Sequence, residues 1–145
     1  MFDKKIRDVM TAPAACVGPH ATAREAARRM KDLDIGTVVC CDENGSPVGI
    51  VTDRDIAVRC CAEGKDADLC RLAEIMSRDV VVCGEEDTVK DAEELMESRQ
   101  IRRVVVTGPD RRVKGIVALR DISGADRRMG GRIVESVTHP LMSGS

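Results

Sequence analysis

The chain has 145 residues, a net charge of −2, 43% hydrophobic and 33% charged residues, a composition typical of a globular protein and not of a disordered one. This charge balance argues against binding to nucleic acid or to a membrane surface. No apolar run approaches the roughly 20 residues of a membrane span and no signal-peptide core follows the N-terminus, so we expect a cytoplasmic protein.

The first elements are short. Residues 4–10 are predicted to form a short helix with Ile6, Val9 and Met10 on one face, ended by Ala12-Pro13. Residues 14–17 read as a brief apolar strand before Gly18-Pro19.

A longer helix is predicted over 23–33, with Thr22 as its N-cap. Apolar side chains recur within it at helical spacing, at Ala26, Ala27, Met30 and Leu33. We interpret this stripe as core rather than as a cofactor-binding surface.

A β-hairpin follows, with strands over 35–41 and 48–51 joined by a turn at 42–47 that is rich in Gly, Pro and Asn. A second helix is predicted from Asp53 to about Ala62. The order strand, helix, strand, strand, helix therefore describes the first half of the chain.

The second half repeats this order. The stretch 49–55 recurs as 115–121, and the same 66-residue offset pairs Met10 with Met76 and Thr22 with Thr88. After a linker and leading helix over 65–76, we predict strands at 80–83, 101–107 and 113–117 and helices at 89–99 and from 119. A last helical stretch is predicted at 132–137.

The repeat predicts an α+β fold of two tandem β-α-β-β-α units related by pseudo-two-fold symmetry. The expected organisation is a first repeat with its leading helix over 1–66, a second repeat over 67–137 and a flexible C-terminal tail over 138–145.

Seven cysteines, an odd number, argue against a disulfide framework and suit a reducing compartment. Neighbouring residues in a strand or helix point in different directions, so Cys40-Cys41 and Cys60-Cys61 are poor chelators. We expect the thiols to serve as small core residues, with no bound metal and with His20 and His139 isolated. A thiol-based redox or metal sensor is kept as an alternative.

The most informative polar groups are Thr52 and Asp55, because a strand would deliver the first to a helix start and place the second in its first turn. A hydroxyl and a carboxylate beside exposed backbone N–H groups could hold sugar hydroxyls and a phosphate. The same spacing is that of a capping box. The residues alone leave both interpretations open, and the two are compatible.

Three motifs occur in the same order in both halves: Val9-Met10-Thr11 with Ile75-Met76-Ser77, Ile35-Gly36-Thr37-Val38-Val39 with Ile101-Arg102-Arg103-Val104-Val105, and the two Gly-Ile-Val motifs. In these motifs the chain resembles a tandem pair of cystathionine-β-synthase (CBS) domains, a Bateman module, over essentially its whole length. Small stand-alone bacterial proteins of the hypoxic response protein type look most similar.

The resemblance implies that each ribose is bound by one repeat and each base by the first two strands of the other. Carried over by position, the first site comprises Ile50, Thr52 and Asp55, with base contacts from Ser77, Val82 and Ile101 and a phosphate near Arg102 and Arg103. The second site comprises Ile116 and Asp121 with Thr11, Cys16, Ile35, Gly36 and Thr37. In the second site Ala118 replaces the hydroxyl residue, so weaker binding is expected there.

The implied function is regulatory and not catalytic: an adenosine-containing ligand such as AMP, ADP, ATP, NAD or S-adenosylmethionine binds and changes conformation or the affinity for an unknown protein target. The rival function is a constitutive interaction module with vestigial sites. A homodimer is expected in either case, because the apolar helix positions Ile56, Val58, Ile122 and Met129 exceed what a small monomer should expose.

Overall fold

A computed structural model of the chain describes residues 4–122. Its first half contains a 3₁₀ turn at Ile6–Asp8, strand β1 at Cys16–Val17, helix α1 at Ala23–Leu33, strands β2 at Thr37–Cys41 and β3 at Pro47–Thr52, and helix α2 at Asp53–Asp55. Helix α2 continues as a π-helical stretch at Ile56–Cys61.

The second half follows the same order. It contains helix α3 at Leu72–Ile75, strand β4 at Val82–Gly84, helix α4 at Val89–Arg99, and strands β5 at Arg103–Thr107 and β6 at Val113–Ala118. A further helix begins at Leu119 and is described as far as Ile122. The predicted α+β class and the order of the repeated elements are confirmed.

Two three-stranded sheets, β1-β2-β3 and β4-β5-β6, are built alike. In each, the first strand runs parallel to the middle strand and the middle strand runs antiparallel to the third. Val39 lies opposite Ile50 in the first sheet, and Val105 lies opposite Ile116 in the second. The register places the Gly-Ile-Val motif on an outer strand, where it leads directly into a helix.

The chain forms two compact units whose membership does not follow the order of the repeats: 15–80 in one, and 4–14 with 81–122 in the other. Ile6 is fully buried in the core of the second of these units, and its amide donates to Asp87 O at 2.9 Å. In the unit formed by 15–80, Leu72 is fully buried and its amide donates to Ala21 O at 2.9 Å. Each leading segment therefore completes the sheet and helix of the other half.

The core of each unit is mainly aliphatic and includes buried cysteine. In the first it includes Ala23, Ala26, Met30, Val38, Cys40, Val51, Cys60, Cys70, Leu72, Ile75 and Met76, and in the second Ile6, Cys83, Ala92, Met96, Val104, Val106, Val117 and Ile122. All seven cysteines are free thiols. Five are buried, as predicted for small core residues, whereas Cys16 is half-buried and Cys61 is exposed, so the prediction is wrong for these two.

Two members of the predicted stripe on α1 are not core residues. Ala27 is exposed, and Leu33 is 52% exposed, whereas Ala23 is fully buried. The buried face is set by Ala23, Ala26 and Met30, a narrower stripe than the sequence suggested, because a helix against a three-stranded sheet hides only one side.

The apolar positions expected to be exposed behave differently from one another. Val58 is 45% exposed, but Ile122 is 1% exposed and Ile56 packs partly buried against the core. The prediction is therefore wrong for Ile122, whose side chain completes a core. Met129, the helical stretch 132–137 and the tail 138–145 lie outside the described residues.

The helix predicted after β3 differs in form from expectation. Beyond Asp55 its hydrogen bonds span five residues, with Ala62 N donating to Ala57 O at 2.9 Å and Lys65 N to Cys60 O at 3.0 Å. A π-helical turn is wider than an α-helical one and is often found next to functional residues.

Candidate functional site

Thr52 and Asp55 form a closed capping box at the start of α2. Thr52 Oγ1 accepts from Asp55 N at 3.1 Å, and Asp55 Oδ2 accepts from Thr52 N at 2.9 Å. Strand β3 fixes Thr52 in extended conformation, and the helical turn returns Asp55 to it. The capping interpretation of this pair is confirmed, and one carboxylate oxygen of Asp55 is thereby engaged in the fold.

The backbone donors at this helix start are all used inside the unit. Asp53 N donates to Gly36 O at 3.0 Å, Arg54 N to Asp53 Oδ1 at 2.8 Å, and the amides of Thr52 and Asp55 complete the box. The expectation of exposed N–H groups for a phosphate is therefore wrong here. Any phosphate bound near this motif must rely on side chains.

The second carboxylate oxygen of Asp55 is engaged more weakly. Asp55 Oδ1 lies 3.8 Å from Arg59 Nε, a distance at which the charges attract but no hydrogen bond forms. Arg59 also donates from Nη1 to Ile75 O at 3.2 Å, which ties it to α3. Sequence reasoning missed Arg59, although its i,i+4 spacing from Asp55 was a usable signal.

Ile50 and Ser77 lie side by side next to this cap. The amide of each donates to the carbonyl of the other at 2.9 Å, which forms an antiparallel bridge between β3 and the residues after α3. Gly49 permits the approach, because a Cβ there would clash with Met76 Sδ. Four predicted residues of the first site, Ile50, Thr52, Asp55 and Ser77, are thus brought together within one unit.

The other unit carries the equivalent arrangement with one group fewer. Thr11 and Ile116 exchange backbone hydrogen bonds of 2.9 and 3.0 Å, and Asp121 Oδ2 accepts from Ala118 N at 2.9 Å. Leu119 N donates to Arg102 O at 2.7 Å, as Asp53 N does to Gly36 O. Ala118 supplies no hydroxyl, so only half of a capping box is present.

The remaining predicted site residues lie at strand starts in the unit to which each belongs. Val82 is 46% exposed on β4, and of the residues entering β5, Ile101 and Arg103 are half-buried while Arg102 is exposed. In the unit formed by 15–80, Cys16 lies on β1, and Ile35, Gly36 and Thr37 enter β2, all of them half-buried.

A cavity of about 590 Å³ opens on the unit formed by 15–80, at the end of β1 and β2. Its lining comprises Cys16, Val17, Gly18, Pro19, His20, Cys41, Asp42 and Glu43. Interaction with the neighbouring thiol of Cys41 lowers the pKa of Cys16 from 9.0 to about 7 against the opposing effect of burial, with help from Arg29.

The partner thiol shifts the other way. Interaction with Cys16, burial and nearby negative charge all raise the pKa of Cys41. Burial raises the pKa of Cys40 to about 11 and that of Cys83 to about 12. Cys16 is thus set apart from these core thiols, and sequence reasoning missed its pairing with Cys41, which depends on the parallel register of β1 and β2.

Within residues 4–122, no group of three or more His, Cys, Asp or Glu side chains is arranged to hold a metal ion. No helix over the same residues is both long and apolar enough to cross a membrane.

The profile of the CBS domain family matches residues 6–60 and 72–128 of the chain. The CBS domain-containing protein YhcV of Bacillus subtilis is 35% identical over 136 residues, covering 92% of this chain and 95% of its own length. Hypoxic response protein 1 of Mycobacterium tuberculosis is 33% identical and covers 81% of each chain. The chain spans 57% of the length of a third relative, MK0525 of Methanopyrus kandleri.

Solved structures have the same fold. The CBS domain pair of MJ0100 in complex with 5′-methylthioadenosine and S-adenosylmethionine superimposes with a TM-score of 0.75 at 32% identity, covering 89% of this chain and 98% of that one. Hypoxic Response Protein I with two coordinated zinc ions gives a TM-score of 0.72 at 33% identity, covering 83% and 97%.

Proposed function

This chain belongs to the CBS domain family as a tandem pair, and we propose that it is a regulatory module that binds an adenosine-containing ligand. The ligand class comprises AMP, ADP, ATP, NAD and S-adenosylmethionine. Binding changes the conformation of the module or its affinity for a partner, which requires that the ligand prefer one of two states. The proposed role is one of binding, not catalysis.

The observation that supports the proposal most directly is that the two carboxylate oxygens of Asp55 have different surroundings. Its Oδ2 is fixed by Thr52 N at 2.9 Å, so the group is held in one orientation. Its Oδ1 keeps acceptor capacity, since Arg59 Nε is 3.8 Å away and the side chain is 18% exposed. A preorganised, charged acceptor of this kind suits the adjacent hydroxyls of a ribose.

The related CBS pair of MJ0100, solved with two adenosine derivatives, supports the ligand class. Isothermal titration of the full chain with AMP, ATP, S-adenosylmethionine and adenosine tests it. We expect at least one to bind, and more tightly at the site of Thr52 and Asp55 than at that of Asp121, where Ala118 offers no hydroxyl. If none bound at millimolar concentration, a constitutive interaction module would be the better assignment.

We propose that the guanidinium of Arg103 contacts the phosphate of the bound nucleotide and no other part of the ligand. Arg103 is half-buried where the chain enters β5, and its guanidinium offers a fixed positive charge and a donor fork that suit a phosphate. We expect Arg103→Ala to weaken AMP and ATP by about 1.5–3 kcal/mol while adenosine stays within about threefold.

Titration of the variant with AMP and adenosine measures this difference, and the uncharged nucleoside serves as the internal control. Equal losses for both ligands would show that Arg103 supports the fold of the strand and not a phosphate.

We also propose a homodimer in the cytoplasm. Val58 and Leu119, 45% and 40% exposed, are apolar side chains on helical segments that a partner copy could cover. The free thiols suit a reducing compartment. Light scattering at micromolar concentration would contradict the dimer if it gave the mass of one chain.

A further inference from the structure

We propose that Cys16 is an oxidant-reactive thiol, modified by peroxides, and that Cys41 is the positioning residue that activates it. The modification does not depend on a bound nucleotide, and Cys16 is at the same time one of the predicted residues of the second nucleotide site. It concerns the chemistry of two thiols at the mouth of one cavity and requires no ligand.

The sheet brings the two thiols to one face. Cys16 lies opposite Val39 in the parallel pairing of β1 and β2, so Val39 and Cys41 share its side of the sheet. Val17 lies opposite Cys40 and points to the other side, where Cys40 is a fully buried core residue. Only one of the two adjacent cysteines of β2 can therefore contact Cys16.

The surroundings of Cys16 admit a small oxidant. Its side chain is half-buried and lines the cavity of about 590 Å³ beside His20 and Cys41. The thiol of Cys41, which lines the same cavity, stabilises negative charge on the Cys16 sulfur, and Arg29 adds a favourable positive charge. With a pKa of about 7, roughly half of the Cys16 population is thiolate at neutral pH.

The chemical step is a two-electron oxidation. The Cys16 thiolate attacks one oxygen of hydrogen peroxide, an S–O bond forms, the O–O bond breaks, and the hydroxide that leaves takes a proton from solvent. Sulfur is oxidised to the sulfenate level and peroxide is reduced to water. Cys41 lies two residues beyond Val39, the residue opposite Cys16 on the neighbouring strand, so the Cα atoms of Cys16 and Cys41 are about 8 Å apart. This separation exceeds the usual span of a disulfide. We therefore expect the sulfenic acid to persist and not to be converted into a disulfide with Cys41.

The first test is site-resolved alkylation of the full chain by iodoacetamide at pH 7, read by mass spectrometry. Cys61, an exposed thiol of the same chain, is the internal reference. We expect Cys16 to react faster than Cys61, and Cys41→Ala to slow Cys16 about five- to tenfold, because a lower thiolate fraction outweighs the higher nucleophilicity of a more basic thiol.

The matched control is Cys40→Ala, which loses a buried thiol on the opposite face of the same strand and should leave the Cys16 rate within about twofold. The second test adds hydrogen peroxide and dimedone to the wild-type chain, with the adduct expected on Cys16. The proposal is overturned if Cys16 reacts no faster than Cys61, if Cys41→Ala leaves its rate unchanged, or if dimedone labels Cys16 no more than Cys61.

Discussion

Gly115→Ala is expected to lower the free energy of unfolding by about 2–3 kcal/mol, the upper part of the range for overpacked sites. A Cβ at this position would lie 2.6 Å from the carbonyl oxygen of Thr11 and 2.9 Å from Met10 Sδ. Backbone cannot move aside as a side chain can, so the bridge between Thr11 and Ile116 must separate. Urea unfolding monitored by circular dichroism measures the change.

Alanine substitutions at two other glycines serve as controls for this result. Gly49→Ala meets only the side chain of Met76, whose end can rotate away, so we expect a smaller loss of about 1–2 kcal/mol. Gly18→Ala has nothing within 4 Å and should change stability by no more than about 0.5 kcal/mol. If all three variants lost the same amount, the close approach at Gly115 would not be the cause.

Asp55→Ala is expected to weaken AMP, ATP and adenosine alike by one to two decades in dissociation constant, about 1.5–3 kcal/mol. It should also destabilise the unliganded protein by about 1 kcal/mol, because the amide of Thr52 loses its acceptor. The structural effect and the binding effect must therefore be separated.

The chain offers a matched control for the structural effect. Asp91 closes the capping box of α4 in the same way, with Oδ2 accepting from Thr88 N at 3.2 Å and its amide donating to Thr88 Oγ1 at 3.1 Å. Asp91→Ala should lower the melting temperature about as much as Asp55→Ala and leave nucleotide affinity unchanged. Isothermal titration together with melting curves of both apo variants compares them. Equal affinities in the two variants would assign Asp55 to capping alone.

Local sequence signals predicted the two longest described helices of this protein well. The helices over 23–33 and 89–99 have the predicted bounds. Their starts were predictable because Thr22 and Thr88 each form a capping box with the residue three positions later, which is a local pattern in the sequence. The hairpin at β2 and β3 was equally accessible, since a turn rich in Gly and Pro separates two apolar runs. The duplicated motifs then fixed the order of elements in the second half.

What the sequence could not supply depends on contacts between distant segments. Burial of Ile122 and exposure of Leu33 follow from how each helix lies on its sheet, and neither is encoded by helical periodicity alone. The carbonyl oxygen of Gly36 accepts a hydrogen bond from the amide of Asp53. No local sequence pattern predicts this contact, which removes a donor from the candidate site. The pairing of Cys16 with Cys41 likewise requires the strand register.

One unit consists of a continuous stretch, whereas the other combines two segments that are far apart in the sequence. This difference has a consequence for synthesis on the ribosome. Residues 15–80 are made as one continuous stretch and contain every described segment of their own unit, so this unit can fold while the chain is still growing. The segment 4–14 is translated before the rest of its unit, but Ile6 is fully buried among residues made more than 75 positions later. This early peptide, with its apolar side chains, must remain unpacked until β4, β5 and β6 have emerged, a period in which a holding chaperone would protect it.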